Sequence, residues 1–243
     1  MLELMRTYPY LVGSLTMLAL CLLGLVACPR TQRWPMILSG LLMEPFSLHT
    51  LCLEPQYWHP IRVAVFPIGA EDILIAFASG GSVWLISTWL VRDRLRVNLN
   101  PPKMVRRYLL GTVGGLAIAV TGRLSGASFL TATVITFVLF GLSMLRLGGG
   151  LWQLGVAGLG GFTAIYFALT KVLFILSPGY INQWNAAGLW GPRVVGVPLD
   201  EIAAAAAFGL AWPLFAAYIF DTRLEATAIE GPNHGGRRPG VVA

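Results

Sequence analysis

Long apolar stretches, broken by short polar or Gly- and Pro-containing segments, dominate the chain. They fall near Tyr8 to Ala27, Pro35 to Leu51, Ile68 to Val91, Val105 to Thr121, Ser128 to Leu145, Trp152 to Leu176 and Pro198 to Phe220. Within each stretch the apolar residues are continuous, not alternating, which argues for helices and against the strands of a membrane barrel. At about 1.5 Å rise per residue such helices can cross a hydrocarbon layer of about 30 Å. The pattern therefore predicts an all-α, polytopic bundle of seven transmembrane helices. Breaks such as Asn98-Leu99-Asn100-Pro101-Pro102, Arg146-Leu147-Gly148-Gly149-Gly150 and Ser177-Pro178-Gly179 contain the residues that end helices. The second span is the least regular, because Glu44-Pro45 interrupts it.

Composition agrees with this pattern. Apolar residues make up 56% of the 243 and charged residues 12%, a balance unlike that of a water-soluble domain. The net charge of +6 lies mainly in short loops beside helix ends, not on an extended basic face, which excludes nucleic acid as the expected partner. With seven spans, one side collects Arg30, Arg33, Arg92, Arg94, Arg96, Lys103, Arg106, Arg107, Arg146, Arg223, Arg237 and Arg238. The other holds only Arg6, Arg62, Arg123 and Arg193. Positive charge stays inside, so the N-terminus is expected outside and the C-terminus in the cytoplasm, in the cell membrane. Arg6 followed by an apolar run ending Leu25-Val26-Ala27-Cys28 has the look of a signal peptide, but the run is long for one and six further spans follow. Cys21, Cys28 and Cys52 show no paired or metal-ligand spacing and read as packing or lipid-facing residues.

The chain also carries a weak internal repeat. Pro55-Gln56-Tyr57-Trp58 followed by Gly69-Ala70-Glu71-Asp72 finds a counterpart in Ile181-Asn182-Gln183-Trp184 followed by Pro198-Leu199-Asp200-Glu201. Each half reads as two helices, an outside loop with a tryptophan, and a third helix entered through two acids. The fourth helix restores orientation, giving two parallel three-helix repeats plus a linking helix. The expected division is residues 1–97 for the first repeat, 98–124 for the linking helix, 125–222 for the second repeat, and 223–243 for a disordered cytoplasmic tail.

Glu71, Asp72, Asp200 and Glu201 are the candidate chemical groups. A carboxylate costs roughly 2.5 to 3.5 kcal/mol within the bilayer, so its presence needs a reason. Helix capping is one, since carboxylates are favoured in a first turn by about 0.3 to 1 kcal/mol. A cap needs only one carboxylate, however, and two adjacent acids repel. Pairing pushes one acid toward the protonated form, available as a proton donor or relay. Tyr57, Trp58, Tyr180 and Trp184 lie in the two outside loops, either as part of an interfacial aromatic belt or as faces that stabilise a carbocation. Lys171 either pairs with an acid across the bundle or snorkels to an interface. Gly111, Gly115, Gly155 and Gly158 read as close-packing positions. His49, His59 and His234 lack metal-ligand spacing, and no phosphate loop, dinucleotide fingerprint, nucleophile elbow or zinc site is present, so no metal or cofactor is expected.

Gly196-Val197-Pro198-Leu199-Asp200-Glu201, preceded by Trp184, resembles the Pro-x-Glu-Glu-x-x-Phe signature of the small membrane-embedded lycopene cyclases, and Gly69-Ala70-Glu71-Asp72 looks like a degenerate copy. The position of the family phenylalanine is Ala204 in the second half and Ile75 in the first, and Gly69 replaces the proline in the first. The resemblance implies two homologous three-helix domains, here fused through a linking helix. It implies an isomerisation in which an acid protonates the end of an apolar carotenoid or isoprenoid, the cation closes a ring, and a base removes a proton. Asp200 and Glu201 would be the first candidates for acid and base, with Glu71 and Asp72 as the pair in the other half. A proton-coupled transporter of the same topology and a diverged protein without chemistry are the competing expectations. Among partners, membrane lipid is implied by the spans, and the sequence fixes no oligomeric state.

Overall fold

The computed structural model describes residues 2–54, 56–64, 66–147 and 150–225. A short helix α1 (Leu2–Thr7) leads into α2 (Pro9–Ala27), with Pro9 at its first position, where a missing N–H does no harm. The second span begins earlier than its apolar pattern predicts, as α3 (Arg30–Met43), with Pro35 inside the helix. It then tightens into a 3-10 segment over Glu44–His49 and resumes as α4 (Thr50–Leu53). Pro45 accounts for the change, since it removes one helical donor and its ring crowds the preceding turn. α5 (Ala70–Thr88) is extended by a 3-10 turn to Val91. The Asn98 to Pro102 stretch serves partly as a helix start: Asn100 Oδ1 accepts from Lys103 N at 3.2 Å, and α6 (Pro101–Leu124) opens on two prolines. α7 (Phe129–Leu147), α8 (Trp152–Leu176) and α9 (Leu199–Ile219) complete the helices.

Six of these elements are long and apolar enough to cross a membrane: Pro9–Ala27, Arg30–Leu53, Ala70–Val91, Phe129–Arg146, Trp152–Leu176 and Leu199–Ile219. That composition is compatible with an integral membrane protein. α6 is the exception to the seven predicted spans. It has the length, but Lys103, Arg106 and Arg107 sit in its first turns and Arg123 near its end. The expected tail beyond residue 225, with His234, Arg237 and Arg238, lies outside the described residues, as do Pro55, Gly148 and Gly149.

The core centres on α9, the most buried span, which packs against α7, α8 and α5, while α5 packs on α2, α3 and α8. A polar relay fixes the three central elements: Trp212 Nε1 donates to Ser39 Oγ at 3.0 Å, and Ser39 Oγ donates to the Gly80 carbonyl at 2.7 Å. These groups are buried, so each bond also spares a donor or acceptor the cost of being left unpaired. Of the glycines expected at close contacts, Gly111 packs on Phe215, Gly155 on Leu210 and Leu214, and Gly158 on Gly209. Gly115 differs, with open space where its Cβ would be.

One end of the bundle is basic and stitched by short strands. β1 (Leu95–Arg96) pairs antiparallel with β4 (Arg223–Leu224), Arg96 forms a two-pronged ion pair with Glu225, and Arg107 Nη1 stands 3.0 Å from Asp221. Hydrogen bonding to Arg107 is the main cause holding the Asp221 carboxyl below its usual range. At the opposite end, β2 (Arg193–Val194) and β3 (Val197–Pro198) form a hairpin through Val195 and Gly196, both at positive φ, 51° and 88°. A β-branched residue rarely adopts that conformation, and Lys171 Nζ donates to the Val195 carbonyl at 2.7 Å. Lys171 thus fastens a loop and, among the described residues, pairs with no acid.

The α8–α9 crossing gives a direct stability test. A Cβ at Gly158 would fall on the Gly209 carbonyl, Ser87 Oγ and Pro213, whereas one at Gly160 would meet nothing. Gly158→Val is expected to lower stability by about 1 to 3 kcal/mol through overpacking, read as a lower melting temperature in detergent. Gly160→Ala should leave it unchanged, and equal melting of the two variants would contradict the crossing.

Candidate functional site

The loops 54–69 and 177–198 meet over the end of the bundle opposite the basic one. Trp58 and Trp184 form an isolated antiparallel bridge. Around it the bonds are reciprocal: His59 N donates to the Gln183 carbonyl at 2.7 Å, and Asn185 N donates to the Tyr57 carbonyl at 2.8 Å. Gln183 Oε1 also accepts from Ile61 N. Two separate loops are thereby held as a minimal sheet, which places their aromatic residues between the N-termini of α5 and α9. The rings interlock, with Tyr10 edge-on to Trp58 at 4.6 Å, Trp58 beside Trp184 at 5.9 Å, and Tyr180 and Phe174 edge-on to Trp184 at 4.9 and 5.6 Å. Edge-to-face contacts of this kind contribute about 0.5 to 1.5 kcal/mol each beyond their buried area.

All four acids are buried, between 0 and 7% exposed. Each pair divides its members in the same way. The first acid fastens its own loop: Glu71 Oε1 accepts from Val63 N at 2.9 Å, and Asp200 Oδ2 accepts from Trp190 N at 2.9 Å. The second acid faces the aromatic cluster. Asp72 accepts from Tyr10 O–H at 2.8 Å and from Arg62 Nε at 2.8 Å. Glu201 accepts from Tyr57 O–H and Tyr166 O–H at 2.5 Å each and from Trp184 Nε1 at 2.8 Å.

Capping explains one of the four. Gly69 N donates to Asp72 Oδ2 at 2.8 Å, closing the start of α5. α9 instead follows Pro198, which has no N–H to offer, and no side chain caps it. Asp200 and Glu201 are held by loops and neighbouring helices, and their burial calls for a reason other than a helix end.

The charges are compensated unequally. Arg62 bridges Asp72 and Glu54, and its side chain is 8% exposed. Burial works against the Arg62 charge, but hydrogen bonds to Asp72 and Glu54 outweigh it and its pKa is raised. Glu201 has three neutral donors and no ion-pair partner among the described residues. Burial, followed by the charge of Glu201, pushes the Tyr57 and Tyr180 phenols far up. Tyr57 therefore keeps its proton and acts as a donor to Glu201. Asp200 Oδ1 and Trp58 Nε1 are buried without a hydrogen-bond partner among the described residues.

The structure thus brings together Asp72, Glu201, Tyr57, Trp58, Tyr180 and Trp184, while Glu71 and Asp200 are tied to their own loops. Ile75 and Ala204, at the family phenylalanine positions, pack against the same cluster. It adds Tyr10, Arg62, Glu54 and Tyr166. Arg62 was visible as one of the few cations expected on the outer side, whereas Tyr10 and Tyr166 sit in apolar helices with no local pattern to set them apart. Among the described residues no group of three or more His, Cys, Asp and Glu is placed to hold a metal ion.

A second feature lies beside this cluster. An apolar groove of about 570 Å³ runs between the 3-10 segment, α6, α7 and α9, lined by residues including Phe46, Tyr108, Phe137, Phe140, Trp212 and Phe215. Phe129 lines the groove, and the adjacent Leu130 packs into the aromatic cluster. No protein-family model, curated protein or solved structure matches the chain.

Arg62→Met leaves the buried Asp72 and the half-buried Glu54 without their cation and is expected to cost about 3 kcal/mol. The double variant Arg62→Met/Asp72→Asn should recover part of that loss, because fewer uncompensated charges remain. Thermal unfolding in detergent measures both, and a silent Arg62→Met would show that the ion pair does not form.

Proposed function

We propose that the chain is a seven-span integral membrane protein, built of two parallel three-helix repeats joined by α6, that cyclises the end group of a lycopene-like carotenoid or related isoprenoid. The observation that carries this reading is that one acid of each pair, Asp72 and Glu201, faces a single aromatic cluster, with Glu201 gripped by Tyr57, Tyr166 and Trp184. The reciprocal bonding of residues 57–59 with 183–185 supports a relation between the two halves, and so does the shared division of labour within each acid pair. The basic end supports a cytoplasmic C-terminus, which sets the acid cluster near the outer face of the cell membrane.

The chemistry is proton transfer without net redox change. A carboxylic acid protonates a terminal carbon–carbon double bond, the resulting tertiary cation is attacked by the next double bond, and a ring forms. A base then removes a ring proton, so the atoms of substrate and product are the same. Asp200, with an oxygen that has no partner, is the group free to carry and deliver a proton. Glu201 faces the rings and is placed to stabilise the cation and receive the returning proton. Asp72 and Glu71 form the corresponding pair at α5. Trp58, Trp184 and Tyr180 offer aromatic faces, each able to stabilise a cation by about 0.5 to 2 kcal/mol. The reaction needs no cofactor. A proton-coupled transporter would need a polar path through the bundle, and the almost wholly apolar lining of the groove favours a lipid-soluble substrate instead.

The test is expression in a lycopene-accumulating bacterium with chromatography of the extracted carotenoids. The wild-type chain is expected to yield cyclised product, and Glu201→Gln and Asp200→Asn to lower it by about 100-fold or more. Unchanged lycopene despite good membrane expression of the wild type would sink the cyclase reading and favour a diverged, non-catalytic protein.

A further inference from the structure

The groove beside α6 contains one polar feature that the acid cluster does not use. His49 lines it at the end of the 3-10 segment, its ring 4.7 Å from that of Phe129. Its Nε2 lies 2.8 Å from Thr133 Oγ1. That hydroxyl has a single proton, and it is spent on the Phe129 carbonyl at 2.9 Å. Thr133 must then accept, so His49 Nε2 carries the hydrogen and Nδ1 presents a lone pair. Among the described residues Nδ1 has no hydrogen-bond partner.

The remaining polar groups along the groove are mostly satisfied within the protein. Tyr108 O–H donates to the Leu42 carbonyl, Thr136 O–H to the Ala132 carbonyl, and the Arg123 guanidinium to the Ala127 carbonyl. Thr112 Oγ1 is fully enclosed beside the Tyr108 hydroxyl. On the α6 side the groove extends from Tyr108 to Leu124, which at 1.5 Å per residue is roughly 24 Å, close to the depth of a hydrocarbon layer. Gly111 and Gly115 keep that wall flat, and the facing wall is aromatic, with Phe137, Phe140, Trp212 and Phe215. A flat, rigid, uncharged rod complements such a slot better than a flexible acyl chain, which would lose more rotational freedom on entering it. A lone acceptor at one end complements a hydroxyl donor.

We propose that this groove binds an elongated isoprenoid alcohol, with its polyene chain along α6 and its hydroxyl donating to His49 Nδ1. The inference rests on the reading of the groove as a site for a lipid-soluble isoprenoid, but not on the acid cluster or on cyclisation. It adds that the ligand carries an oxygen at one end.

The experiment uses the full chain in lipid nanodiscs, titrated with all-trans-retinol or with retinyl acetate, which has the same polyene but no hydroxyl donor. Binding is read by energy transfer from tryptophan. Retinol is expected to bind saturably and about five- to tenfold more tightly than the acetate, the range of one net hydrogen bond. His49→Phe should bring retinol down to the level of the acetate without changing the acetate. His49→Gln, whose amide can donate to Thr133 and still accept from a ligand, should restore the preference. Gly115→Leu fills open space on the groove wall and should weaken both ligands while melting like the wild type. Equal affinity for alcohol and acetate in the wild type would overturn the proposal, as would a preference that survives His49→Phe or displacement of retinol by 1-hexadecanol at equal concentration. Intact retinol binding in Glu201→Gln, with cyclisation lost, would separate this site from the acid cluster. Retinol selectivity in a chain that never cyclises lycopene would leave the groove proposal standing and the cyclase reading refuted.

Discussion

A carboxylate that has given up its water must be supplied with donors, and Glu201 draws three from three different parts of the chain. Tyr57 comes from the loop after α4, Tyr166 from α8, and Trp184 from the loop after α8. None can move away without leaving a buried acceptor short, at about 1 to 3 kcal/mol or more for a charged group. The positions of both loops and the depth at which α9 begins therefore depend on a single side chain. Asp72 plays the matching part at α5 through Tyr10 and Arg62, but with a cation close by. One pocket of charge is neutralised locally and the other is solvated only by neutral donors.

The bundle below follows from close helix packing. α9 and α5 are central because they carry the small residues that allow close approach, as at Gly158 against Gly209 and Gly80 against Met43. α6 stands apart, packed mainly on α7 with lighter contact to α9. Pro45 deflects the second span on the other side, and the space between them becomes the groove. A sequence feature that looks like a defect in a helix thus opens an apolar groove in the fold.

Much of this was legible in the chain. Continuous apolar runs gave the helices, and the paired Trp-then-acids pattern singled out residues that now meet in one cluster. The limits are equally physical. The start of α6 lies at Pro101 instead of near Val105, because hydropathy does not register a proline that needs no donor partner in a first turn. Capping and site chemistry could not be told apart for Asp72, which turns out to cap α5 and to face the cluster as well. Tyr10 and Tyr166 were hidden because a tyrosine in an apolar helix reads as packing until its hydroxyl is seen against a carboxylate. The groove left no trace in any local window, since its walls come from four separate segments of the chain.

The arrangement stands or falls on the meeting of the two loops, and cysteine cross-linking at Trp58 and Trp184 measures it most directly. Their bridge is of the non-hydrogen-bonded antiparallel kind, flanked by the reciprocal bonds of His59 and Asn185. Facing residues in such a pair stand at about the Cα separation that a disulfide spans. With Cys21, Cys28 and Cys52 replaced by alanine, Trp58→Cys/Trp184→Cys should form an intramolecular disulfide under mild oxidation in isolated membranes, while Trp58→Cys/Trp190→Cys should not. A membrane-inserted chain in which the first pair cross-links no better than the second would show that the loops do not meet, and that the two acid pairs have no common site.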